Sequence, residues 1–117
     1  MTAEELYREI GADYQTALSR MMGNQGLLTR MLKKFGADKS YAALEKAMEE
    51  QNFEEIFTAA HTLKGVAGNL ELSPLFRASA ELSDAVRGGK QDERVPELFA
   101  VVKDAYETVM EKIGTLE

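Results

Sequence analysis

The chain has 117 residues, which suits one domain around one core, and 44% of them are hydrophobic, which excludes a disordered segment. A net charge of -6 argues against a nucleic-acid binder, because phosphate contacts need clustered Lys and Arg. With no cysteine and a single histidine, the chain holds no disulfide, no thiol nucleophile and no cysteine-based or histidine-rich metal site.

No apolar run approaches the roughly 18 residues of a membrane span. The N-terminus, Met1-Thr2-Ala3-Glu4-Glu5, is acidic and lacks the apolar core of a signal peptide, so a cytoplasmic location is expected. Only 2 prolines and long apolar periodicities predict an all-α fold.

The first predicted helix runs from Thr2 to about Ile10 and ends at Gly11. Asp13 is placed to cap a second short helix, which Gly23-Asn24 breaks. Leu27, Leu28, Met31, Leu32 and Phe35 carry helical spacing up to Gly36. Asp38 or Ser40 can cap the next helix, whose apolar stripe is Tyr41, Leu44, Ala47 and Met48.

Asn52 is the expected cap of the following helix, with Phe53, Ile56, Phe57, Ala60, Leu63, Ala67 and Leu70 as its apolar seam. Ser73-Pro74 reads as a start signal, serine at the N-cap and proline in the first turn. From there Leu75, Phe76, Ser79, Leu82 and Val86 lead to a break at Gly88-Gly89. The last and longest stripe is Val95, Leu98, Phe99, Val102, Ala105, Tyr106, Val109 and Ile113. Short connections make sequential helices antiparallel neighbours. The expected architecture is therefore an antiparallel four-helix bundle with short N-terminal helices, forming a single domain over residues 1–117.

The only histidine, His61, lies inside the run Ala60-His61-Thr62-Leu63-Lys64-Gly65-Val66-Ala67-Gly68-Asn69-Leu70. At about 100° per residue, it sits roughly 120° from the centre of its helix's apolar stripe, on the solvated shoulder. Lys64 at i+3 can reach the space over the imidazole, where a cation opposes a second positive charge and attracts a phosphoryl group on the ring. Gly65 and Gly68 share that face. Each costs roughly 1 kcal/mol relative to alanine inside a helix, so together they suggest a surface kept bare for something large to dock. Phe57 and Thr58 flank the histidine one turn earlier and complete the expected partner-binding set with Gly65 and Gly68. A lone surface histidine usually has no role; His, Lys and two helix glycines on one face point to one here. There is no Gly-x-Ser-x-Gly elbow and no Gly-x-x-x-x-Gly-Lys-Ser/Thr phosphate loop, hence no expected ATP site.

His61-x-Leu63-Lys64-Gly65-x-Ala67-Gly68-x-Leu70 resembles the histidine-containing phosphotransfer (HPt) domain family of two-component phosphorelays. Asp13-Tyr14-x-x-Ala17-Leu18-x-Arg20-Met21-x-Gly23-Asn24, the leucines that follow and the Gly88-Gly89 break are similar to it as well. The resemblance implies that His61 is phosphorylated through Nε2, with Lys64 beside it and Gly65 and Gly68 on a docking surface. The implied partners are response-regulator receiver domains and a hybrid histidine kinase; no cofactor is implied, and metal and acceptor aspartate would come from the receiver. The protein would be a monomeric relay intermediate and not an enzyme. One departure is Glu71, where many members have glycine. Two other readings remain at this point. One is a phosphotransfer domain excised from a CheA-type or hybrid histidine kinase, against which Met1 and a closing helix through Leu116 favour a complete chain. The other is a helical adaptor that binds without phosphorylation.

Overall fold

Four helices begin where the sequence supplies a side chain to hold their first amides. The computed structural model describes all 117 residues as α1 (Ala3–Ile10), α2 (Tyr14–Arg20), α3 (Gln25–Phe35), α4 (Ser40–Glu49), α5 (Phe53–Asn69), α6 (Ser73–Ala85) and α7 (Val95–Ile113), with no strand. Thr2 and Glu5 form a reciprocal capping box at α1. Asp13, Asn24 and Asn52 accept the N–H of Thr16, Leu27 and Glu55, capping α2, α3 and α5.

Two starts differ from expectation. At α4 the cap residue is Lys39, and Asp38 holds the entry from one residue further out by accepting the Ser40 N–H at 2.8 Å. At α6 the cap is Leu72 and Ser73 is already helical. The Leu72 N–H bonds the Ala67 carbonyl at 2.9 Å and the leucine side chain is fully buried, so the closure of α5 sets where α6 begins. Helix α6 also stops at Ala85, before the glycine pair. There Gly88 and Gly89 take φ of 77° and 78° in a tight turn over Arg87–Gly89.

The core follows the predicted stripes. Ile56, Ala59, Ala60, Leu63, Ala67 and Leu70 bury one side of α5, which packs on α4 and most extensively on α6; α6 in turn packs on α7. Aromatic rings join α4 to α7: Tyr41 stacks on Tyr106 at 3.9 Å between centroids, and on Phe99 at 6.1 Å. Phe76 leaves its predicted stripe and is 39% exposed, because it lies about 100° round the helix from Leu75. Helices α1 to α3 pack on one another, and α1 reaches α7, where Glu9 meets Lys112 at 3.0 Å. No helix is long and apolar enough to cross a membrane.

The Tyr41 hydroxyl is buried without a hydrogen-bond partner. Burial, reinforced by the carboxylates of Glu45 and Glu107, pushes its phenol up to about 12. A folded value above the unfolded one, near 10, gives a contribution fully present below pH 10 and lost as pH climbs toward 12. Tyr41→Phe keeps the ring stack and removes the orphaned hydroxyl. It should equal wild type at pH 7 or exceed it by up to ~1 kcal/mol in urea denaturation. At pH 11 its advantage should widen. A clear loss at pH 7 would mean that the hydroxyl is hydrogen-bonded in solution.

Candidate functional site

The middle of α5 presents His61 to solvent while its neighbours Ala60 and Leu63 are fully buried. The ring makes no hydrogen bond within the chain, and its orientation comes from a stack on Phe57 one turn earlier, centroids 5.6 Å apart and planes 20° apart. Phe57 is half-buried, and the Arg87 guanidinium sits 5.6 Å from its ring centre. Asp84 holds that guanidinium at 2.7 Å. Arg87 reaches this position because the glycine turn lies directly on the first turn of α5. A Cβ on Gly89 would come within 2.6 Å of Glu54 Cγ, so glycine is required there by contact as well as by φ.

Thr58 is exposed, and its hydroxyl donates to the Glu54 carbonyl of its own helix. Lys64 is half-buried and takes part in none of the five ion pairs, which leaves its ammonium free. The two glycines differ. Around Gly65 an added Cβ would meet nothing within 4 Å, as a bare surface requires. Gly68 is not bare: a Cβ there would lie 3.0 and 3.1 Å from the edge of the Phe76 ring. Helix α6 crosses α5 close enough for that ring to lie over the glycine, so Gly68 makes room for the protein's own phenylalanine.

Beyond Gly65 a groove of about 600 Å³ runs between the end of α5 and α6. Its charged lining residues are Arg20, Lys64, Glu71 and Arg77. The α5 terminus is closed by the Glu71 N–H on the Gly68 carbonyl and the Leu72 N–H on the Ala67 carbonyl, a Schellman motif. Glu71 takes the left-handed position with φ of 53°, which for a non-glycine residue costs on the order of 1 kcal/mol. From α2, Arg20 binds its carboxylate at 2.6 Å; from α1, the buried Tyr7 hydroxyl donates to the Leu70 carbonyl.

A family model described as the Hpt domain matches residues 36–112, about two thirds of the chain. The chain belongs to the Hpt domain family. No curated protein and no solved structure matches it. Hpt domains act in two-component signalling as phosphotransfer intermediates, not as catalytic enzymes, and interact with receiver domains and histidine kinases. The matched span begins at Gly36 and takes in α4, α5, α6 and nearly all of α7; the N-terminal similarity over residues 13–24 lies outside it.

Of the predicted site residues of this Hpt domain, His61, Phe57, Lys64 and Gly65 cluster along one strip of α5. Gly68 lies beneath Phe76, and Thr58 also borders a second groove toward α4, with Ser40 and Ala43. Sequence reasoning missed Arg87, Phe76, Arg20 and Arg77, which other helices and the glycine turn bring in. The glycine pair at 88–89 was the one local signal for the turn that carries Arg87. Because Gly65 is open, Gly65→Ala should stabilise the protein by ~1 kcal/mol, while Gly68→Ala should give a smaller gain or a loss, since the Phe76 ring must move. Thermal melts of both variants check this; equal gains would mean that Phe76 does not rest on Gly68.

Proposed function

We propose that His61 accepts a phosphoryl group from the phospho-aspartate of one receiver domain and passes it to the aspartate of another. In the first step an imidazole nitrogen, Nε2 by resemblance to the family, forms a bond to phosphorus as the bond from phosphorus to the aspartyl oxygen breaks. The carboxylate of the receiver leaves, and the second transfer reverses these roles at a new carboxylate. A neutral imidazole is needed for attack, and the resulting N–P bond is energetic enough to hand its phosphoryl group on. By resemblance to the family, the metal and the reacting carboxylates would come from the receiver.

The observation that carries this reading is a single exposed imidazole, stacked on Phe57, next to the unpaired Lys64 and the open surface at Gly65. Phe57 supports one side of the exposed ring and limits its rotation, which lowers the cost of presenting it to a partner. Lys64 offsets the charge of the incoming phosphoryl group. Gly65 gives the receiver clearance, Phe57 and Thr58 border it, and Gly68 contributes by seating Phe76 at the edge of the same face. We assign residues 1–117 to one phosphotransfer domain, acting as a monomer in the cytoplasm between a hybrid histidine kinase and its response regulators.

Incubation with a phosphorylated receiver should transfer acid-labile label to wild type. His61→Gln should abolish the label with its melting temperature nearly unchanged, because the ring is exposed. Lys64→Ala should bind receiver about as well but transfer more slowly. Gly65→Gln should weaken binding while leaving the helix intact, since only open space surrounds it. Label on His61→Gln would move the acceptor elsewhere. Labelling by a kinase domain with ATP, and by no receiver, would make this a kinase's phosphotransfer domain and not a relay between receivers.

A further inference from the structure

Glutamate is an unfavourable choice for the residue after α5. With φ of 53° the position suits glycine, yet it carries a long charged side chain. Two other helix ends, at Met22 and Gln51, also place a non-glycine residue in the left-handed region. The Glu71 carboxylate pairs with Arg20. The arginine is 48% and the glutamate 21% exposed, and a single partly exposed pair adds at most about 1 kcal/mol, no more than the left-handed backbone costs. Fold stability therefore does not account for the glutamate.

Its location does. The groove beside Gly65 is lined by three cations, Arg20, Lys64 and Arg77, and by one anion, Glu71. Paired at 2.6 Å, Arg20 and Glu71 cancel, so a partner meets the charges of Lys64 and Arg77 and a neutral pair at the α2 side. Without the carboxylate, Arg20 would become a third free cation.

We propose that Glu71 is a specificity-determining residue of the docking face. By neutralising Arg20 it removes the advantage that an acidic rim at this end of the groove would gain from a free arginine, and so favours receivers whose rim there is neutral or basic. This rests on the reading that receivers dock on the face around His61. The underlying physics is charge complementarity at a rim, which changes encounter and partner choice more than intrinsic reactivity.

The test uses one phosphorylated receiver that labels wild type, and two variants of it with a lysine or a glutamate introduced on the surface bordering its phospho-aspartate. Single-turnover transfer is measured into wild type, Glu71→Gln, Arg20→Ala and the double variant. Relative to wild type, Glu71→Gln should shift the kcat/KM ratio toward the glutamate-bearing receiver by on the order of tenfold. Adding Arg20→Ala should return the ratio toward the wild-type value. The change should fall in KM, and rising salt should erase it. Glu71→Gly supplies a control for folding. It should melt ~3–6 °C above Glu71→Gln through relief of the left-handed backbone, and should show the same altered preference. If wild type is labelled but the preference is the same with and without the Glu71 carboxylate, this inference is overturned while the proposed phosphotransfer stands. If no receiver labels wild type, the phosphotransfer reading itself fails.

Discussion

Burial of one face of α5 is the constraint on which the molecule is built. Ile56 and Leu63 anchor it, each large side chain contributing roughly 2 kcal/mol by leaving water. Ala59, Ala60 and Ala67 keep the same face thin, so α4 and α6 can lie close on it. A helix held on two sides is fixed in rotation about its own axis. The residue placed roughly 120° from the buried stripe is then presented outward at no cost to the core, and that residue is His61. Placing it there needed no strained backbone and no buried charge.

Local signals in the chain foretold much of this. Helical periodicity located the buried face of α5 and the exposure of His61, and the caps at Asp13 and Asn52 fell on the predicted residues. These are i to i+4 relationships, which sequence records directly. What was not legible depends on how helices cross. Phe76 fits a stripe on paper, but its ring covers Gly68 because of the approach of α6 to α5. The start of α6 moved by one residue because the preceding helix closes through Leu72. Arg20 and Glu71 are 51 residues apart in the chain, and nothing local links them.

The surroundings of the imidazole are drawn from parts with little else in common. Helix α2 gives Arg20, α6 gives Phe76 and Arg77, and a two-glycine turn gives Arg87, all supporting or bordering a strip of α5 that carries the chemistry. Such a division lets the border change without disturbing the helix. Exposed positions such as Arg77 and Arg87 make few core contacts, so substitutions there have small effects on stability.

The stack of Phe57 on His61 also gives the protein a built-in reporter. A phenyl ring 5.6 Å from the imidazole exposes the histidine's carbon-bound protons to its ring current, so their magnetic resonance signals depend on how the two rings lie. Because the chain holds only one histidine, those signals stand alone in the spectrum. Whatever tilts the imidazole off the phenyl ring, whether a covalent group on nitrogen or a protein pressed against its outer face, would register as movement of that one pair of signals. The state of the site could thus be followed without any label attached to it.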